Sequence, residues 1–199
     1  MSLLQVKHLY KAYAAKPALE DVTFTAANGL TRIKGRSGIG KTTLLRILLG
    51  LETPDRGTIS GSELRWAAVF QEDRLLGQLD AGGNLRFALG PDYDAARAAA
   101  LLEELGLGSV ENKKVRDYSG GMKRRLALAR ALLAPCDALA LDEPLTGLDA
   151  ENRDAALHCV LRAAREKIVL LASHDELALS RFPEFSGLRV QELWLREPE

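Results

Sequence analysis

The apolar positions divide the chain into three stretches. From Met1 to about Arg65, strand-like runs alternate with turns such as Ala27-Asn28-Gly29 and Pro54-Asp55-Arg56-Gly57, the punctuation of a β-rich region. From about Leu75 to Arg116 the pattern changes to that of helices, most clearly over Ala95–Leu105 with a stop at Gly106. Beyond that, Ser119 is a natural N-cap for a helix running to about Ala134, ahead of Pro135. The apolar runs ending at Asp142 and over Ile168–Ala172 predict strands buried on both faces. A helix is expected after Asp149, another short helix after His174, and a last strand-like run over Leu188–Leu195.

One segment inside this α/β pattern carries chemistry of its own. Gly35-Arg36-Ser37-Gly38-Ile39-Gly40-Lys41-Thr42 follows the strand Leu30–Lys34 and precedes the apolar helix Thr43–Leu49, which Gly50 stops. Glycines at this spacing let backbone N–H groups turn inward around phosphates, and the helix N-terminus adds partial positive charge. Lys41 is placed to reach the β- and γ-phosphates, and the Thr42 hydroxyl to ligate Mg²⁺. A glycine-rich turn with a chance lysine is the plain alternative; the order strand, loop, helix argues against it. Arg32 and Lys34 are unusual in a strand of a parallel sheet. They are expected near a sheet end, stems packed and charges in solvent.

A second site narrows the nucleotide chemistry. The apolar approach Cys136–Leu141 delivers Asp142 and Glu143 just before Pro144, at the carboxyl end of a strand, where open α/β sheets place their ligands. Two stray acids there would be expensive without a cation or hydrogen-bond partners. Asp142 is therefore read as holding Mg²⁺ through its water shell, and Glu143 as orienting and polarising an attacking water.

Tyr118-Ser119-Gly120-Gly121-Met122 opens a helix whose N-terminus is a second anion-binding terminus. Together with the phosphate loop, Gln71, Asp142-Glu143 and His174, it resembles the ATP-binding cassette ATPases, the nucleotide-binding subunits of ABC transporters, over nearly the whole chain. Tyr118 and Met122 replace the usual Leu and Gln of the family signature, while its Ser-Gly-Gly centre is intact. The resemblance implies a P-loop NTPase core with a parallel sheet, an N-terminal antiparallel β subdomain and an α-helical subdomain inserted at about 75–116, all in one domain spanning 1–199.

The resemblance also implies roles residue by residue. ATP and Mg²⁺ are the expected cofactors. Gly35, Arg36, Ser37, Gly38, Ile39, Gly40, Lys41, Thr42 and Thr43 would hold the phosphates, and Tyr13 would stack on adenine, with Tyr10 close enough to leave the choice open. Thr42, Gln71 and Asp142 would hold the metal; Glu143, His174, Gln71 and Lys41 would serve hydrolysis. Ser119, Gly120, Gly121 and Asp149 would close over ATP bound to a second ATPase subunit, a homodimer being expected and a different partner cassette left open. Membrane permease subunits sensed through the Gln71 loop, and an extracytoplasmic solute-binding protein, are the remaining expected partners. That places the chain on the cytoplasmic face of the cell membrane. The stretch Val69–Leu89 is similar to ATPases of nitrate, sulfonate and taurine importers, although Gly77-Gln78 departs from the Pro-Trp common there.

Composition fits this reading. At 199 residues and 47% hydrophobic the chain can build one core. Lys+Arg and Asp+Glu both number 27, so no dedicated nucleic-acid surface is expected. Cys136 and Cys159 lack metal-ligand spacing and read as reduced packing residues. No apolar stretch approaches the roughly 20 residues of a membrane span, Met1–Lys7 lacks a signal-peptide core, and no C-terminal regulatory domain is expected. A soluble cassette ATPase acting on ribosomes or DNA, and a non-hydrolytic scaffold subunit, are the competing classes. The first would call for two cassettes or long coiled-coil insertions, the second for loss of Lys41, Asp142, Glu143 or His174.

Overall fold

A computed structural model describes residues 3–14, 16–61, 63–110, 113–174 and 177–196; Met1 and Ser2 of the N-terminal stretch lie outside the described residues. Strands β1 (Leu3–Tyr13), β2 (Lys16–Ala27) and β4 (Arg56–Ser60) form an antiparallel sheet in the order β2-β1-β4. A second sheet, parallel throughout, has the order β5-β6-β7-β3-β8, from β3 (Gly29–Lys34), β5 (Trp66–Val69), β6 (Ala138–Asp142), β7 (Ile168–Ala172) and β8 (Val190–Trp194). The helices are α1 (Lys41–Leu48), α2 (Ala81–Leu89), α3 (Ala95–Glu104), α4 (Gly120–Leu133) and α5 (Ala150–Ala164). The α/β reading is thus observed. β5, whose partly buried alanines give a weak apolar signal, was not among the expected elements.

Every residue of β6 and β7 is buried, and alternation decides which side each serves. Leu139, Leu141, Val169 and Leu171 face one core, shared with α2 to α5. Ala138, Ala140, Ile168, Leu170 and Ala172 face the other, shared with α1 and the antiparallel sheet. The central sheet is therefore covered on both faces, which is why its strands read as continuous apolar runs. The small alanines of β6 on the α1 side let that helix approach the sheet.

Two expectations are corrected. Arg32 and Lys34 do not extend their charges into solvent: β8 lies beside β3 with Glu192 opposite Arg32, and the Glu192 carboxylate lies 3.1 Å from both Arg32 Nη1 and Lys34 Nζ. The short helix after His174 is replaced by two 3₁₀ turns, Leu179–Arg181 and Pro183–Phe185, the second started by Pro183, which lacks the N–H an α-helix would use. Both cysteines are free and buried. Burial, and a hydrogen bond to Glu104, push the Cys159 thiol up to about 12. Ligand atoms of Glu104, His158 and Cys159 lie within 4.8 Å of one another, but Arg162 holds Glu104 through both carboxylate oxygens, at 3.1 and 2.7 Å.

The entrance to β6 is fixed by Asp137, which accepts hydrogen bonds from the Arg65 backbone N–H at 3.0 Å and from its guanidinium at 3.1 Å twice. These bonds, led by the side-chain pair, hold the Asp137 carboxyl at about 2. A depressed carboxyl stabilises the fold above its unfolded value and loses that effect as pH falls through its folded one. Asp137→Asn should therefore lower the melting temperature by a few degrees at neutral pH, with the gap to wild type closing below about pH 4. Thermal melts across this range test it; a gap independent of pH would contradict it.

Candidate active site

Four segments reach one end of the parallel sheet because each follows the carboxyl end of a strand: the phosphate loop after β3, Gln71 after β5, Asp142-Glu143 at β6 and His174 after β7. The loop closes tightly. Gly40 stands at φ 101° at the start of α1, and a Cβ there would lie 2.2 Å from the Ala18 carbonyl oxygen, so only glycine fits. Lys41 is buried, and its ammonium donates to the carbonyls of Gly35 at 2.8 Å and Arg36 at 3.1 Å. Burial holds the Lys41 pKa below the usual lysine range, against the opposing fields of Glu143 and Asp142.

The Thr42 hydroxyl donates to Asp142 Oδ2 at 2.7 Å, tying the phosphate loop to the end of β6. Glu143 takes the left-handed φ of 50°, uncommon for a non-glycine residue, while its N–H donates to the Ala172 carbonyl at 2.8 Å. Its Oε2 accepts from the Thr146 hydroxyl at 3.2 Å and from the His174 N–H at 3.4 Å. Oε1 is buried without a hydrogen bond, 3.2 Å from His174 Nε2. A buried carboxylate oxygen without a donor is a group that a bound water or ligand would satisfy.

These groups line a cavity of about 330 Å³ together with Tyr13, Ser37, Gly38, Gly40, Lys41, Thr43 and Gln71. Lys16, Pro17 and Ala18 line it too; no motif marked them, because they belong to it only through the folding back of β2. Tyr13 and Tyr10 are separated by the fold, since Tyr13 borders this cavity and Tyr10 a different one. Desolvation at the cavity rim, and then the nearby Glu52, raise the Tyr13 pKa above the usual tyrosine value. Gly35, Arg36 and Ile39 border an adjoining cavity with His174 and Trp194. Ser119, Gly120, Gly121 and Asp149 line neither. Ser119 accepts from the Met122 N–H at 3.2 Å as the cap of α4, and the Asp149 carboxylate is turned onto Asn152 as the cap of α5.

Gln71 is held by partners that the sequence did not announce. Arg124 of α4 donates to the carbonyls of Phe70 and Gln71, the latter at 2.7 Å, and Arg130 donates to those of Asp73 at 3.0 Å and Arg74 at 2.7 Å. Arginine's fork suits such multiple carbonyl contacts. As a donor set, the Thr42 hydroxyl, the Asp142 carboxylate and the Gln71 amide are all hard oxygens, which fits Mg²⁺ rather than a thiolate- or imidazole-seeking metal.

A phosphate-cradling loop, a buried strand-end carboxylate pair and a histidine around one cavity on a parallel sheet define a P-loop nucleotide hydrolase. The chain matches the family described as ABC transporter over residues 19–146 and belongs to it. It is 36% identical over 177 residues to the aliphatic sulfonates import ATP-binding protein SsuB 1 of Pseudomonas savastanoi pv. phaseolicola, covering 87% of this chain and 75% of that protein. It is 38% identical over 188 residues to the taurine import ATP-binding protein TauB of Yersinia pestis, covering 87% and 74%. Among solved structures, an ABC transporter ATP-binding protein from Pyrococcus furiosus superposes with a TM-score of 0.83 at 25% identity, covering 98% of each chain.

If Tyr13 is the adenine platform, Tyr13→Ala removes a stacking contact of about 1–3 kcal/mol. Calorimetric titration with ATP should show affinity lower by roughly 5- to 150-fold, while Tyr10→Ala leaves it near wild type. Equal losses in both variants would remove Tyr13 from that role.

Proposed function

We propose that this chain is the ATP-hydrolysing subunit that drives solute import through a separate membrane permease, and that hydrolysis takes place between two copies of it. The observation that carries the proposal is the meeting of the Thr42–Asp142 hydrogen bond and the unsatisfied Glu143 Oε1 in the cavity of the phosphate loop. Lys41 exchanges its two loop carbonyls for the β- and γ-phosphate oxygens, and the backbone N–H groups from Ser37 to Thr43 surround the phosphates. Thr42, Asp142 and Gln71 would hold Mg²⁺, which when bound neutralises phosphate charge.

Glu143 orients a water in line with the γ-phosphorus and accepts its proton as the new P–O bond forms. The bond to the bridging oxygen breaks and ADP leaves with the electron pair. His174, beside Glu143, donates to the γ-phosphate. The reaction is then mostly positioning and charge stabilisation by groups already in place.

Ser119, Gly120, Gly121 and Asp149 stand outside this chain's own cavity, and the exposed start of α4 offers N–H groups to an anion on another molecule. We assign them to the ATP of a second copy in a head-to-tail pair. The whole chain acts as one ATPase domain with a helical insert at about 75–116. Its Gln71 segment, anchored on α4, is the contact to the permease. Among the described residues no helix is long and apolar enough to cross a membrane, which fits attachment at the cytoplasmic face through that permease. The names of its relatives point to a sulfonate or taurine as the imported solute, delivered by an extracytoplasmic binding protein.

Glu143→Gln should keep nucleotide affinity and lower kcat by at least about a hundredfold, the scale of a lost general base. Steady-state phosphate release by the pure variant decides it; near-normal turnover would take Glu143 out of this role.

A further inference from the structure

Arg125 has no place in the hydrolysis described above, yet it is 8% exposed and in contact with three elements at once. Its Nη1 donates to the Leu105 carbonyl at 2.7 Å, to that of Gly106 at 3.4 Å and to Asn152 Oδ1, and its Nε donates to the Gly121 carbonyl at 3.4 Å. Asn152 passes the contact on. Its backbone N–H donates to Asp149 Oδ1 at 2.9 Å and its side-chain Nδ2 to Asp149 Oδ2 at 2.7 Å. One path of hydrogen bonds therefore runs from the first turn of α4, through Arg125 and Asn152, to the carboxylate of Asp149.

The backbones along this path are packed without slack. A Cβ on Gly121 would meet the Gly147 carbonyl oxygen at 3.3 Å and Leu148 Cδ2 at 3.4 Å, so the start of α4 rests directly on the Leu148-Asp149 turn. Gly106 has φ 64°, and a Cβ there would lie 2.8 Å from Arg125 Nη1 and 3.2 Å from Asn152 Oδ1. The end of α3 is thereby seated on the same guanidinium. Burial keeps the Arg125 pKa below the usual arginine range, and apolar residues of similar volume commonly stabilise such positions as well or better. What a buried arginine adds is geometry: its Nη1 is shared by acceptors at the end of α3 and in the first turn of α5, while Nε is tied back to Gly121 at the start of α4.

We propose that Arg125 is a positioning residue that locks Ser119–Gly121 and the Leu148-Asp149 turn into one rigid face, the face that closes on the second copy's nucleotide. This rests on the head-to-tail reading given under Proposed function. Arg125 touches no nucleotide in its own subunit, so its loss weakens closure and turnover without weakening ATP binding at the phosphate loop. Asn152 is its obligatory relay, and a lysine, one atom shorter and without the Nε donor to Gly121, cannot replace it.

The test compares Arg125→Lys, Arg125→Met and Asn152→Ala, each in the full chain and each repeated on Glu143→Gln to trap ATP-bound dimers. Calorimetry gives ATP affinity, sedimentation gives dimerisation in Mg-ATP, and phosphate release gives kcat and KM. The expected result is ATP affinity within about twofold of the parent, with dimerisation weakened and kcat lowered by about tenfold or more at little-changed KM. The Arg125→Met/Asn152→Ala double variant should be no worse than either single one, because both cut the same path. Folded variants that dimerise and turn over like their parents would overturn the proposal, as would a silent Asn152→Ala, which also serves if the Arg125 variants fail to fold. Failure of Glu143→Gln itself to dimerise with ATP would overturn the head-to-tail reading, visibly separate from any effect of Arg125, and this proposal with it.

Discussion

Everything at the site depends on holding two carboxylates at the end of a strand that is apolar on both sides. β6 enters the molecule at Asp137, runs through four buried apolar residues and emerges at Asp142, itself 3% exposed. A carboxylate so placed is expensive unless it finds donors or a cation, and the Thr42 hydroxyl of the phosphate loop is the donor it finds. The bond thus fixes α1 against the sheet and leaves the hydroxyl and carboxylate together at the point where phosphate charge must be met. Glu143 is turned into the same cavity by its left-handed backbone, a conformation that costs about 1–3 kcal/mol and persists only where its surroundings enforce it. The N–H to Ala172 and the Thr146 and His174 contacts supply that enforcement.

A second design principle is the use of α4 as a strut. Arg124 and Arg130 hold the carbonyls of the Gln71 segment, whereas Arg125 reaches the ends of α3 and α5. The helix whose exposed N-terminus is assigned to a neighbouring nucleotide is therefore bonded to the segment that lines this chain's own cavity.

How much of this could be read from the chain follows from the kind of interaction involved. The phosphate loop, Asp142-Glu143 and the Ser119 cap were legible because each is local: a glycine spacing, an apolar run ending in acids, an N-cap before a helix. His174 became legible only through its resemblance to a family pattern, since a lone histidine after a strand carries no local signal. Lys16–Ala18 at the cavity wall, Glu192 opposite Arg32, and the acceptors that Arg124, Arg125 and Arg130 reach outside their own helix were not legible, because the hydrogen-bonded pairs lie between 19 and 160 positions apart. The order of the parallel strands decides those pairs, and no short window contains it. The misplaced charges of Arg32 and Lys34 show the same limit: β8 at the edge of the sheet turned a solvent-facing expectation into ion pairs with Glu192, in which the two cations are largely covered and the carboxylate is exposed.

The central claim is that each hydrolytic site joins the phosphate loop of one copy to the signature segment of another. Gly120 offers a clean way to break only the second half, because a Cβ there meets no atom within 4 Å; Gly120→Asp should fold normally yet bring a negative charge to the partner's phosphates. The decisive measurement is ATP hydrolysis by Gly120→Asp and Lys41→Ala proteins, each alone and then mixed. The account predicts little activity in either protein alone and restored activity on mixing, since the mixed pair contains one site with an intact loop and an intact signature. No gain on mixing, or full activity of Gly120→Asp alone, would contradict it.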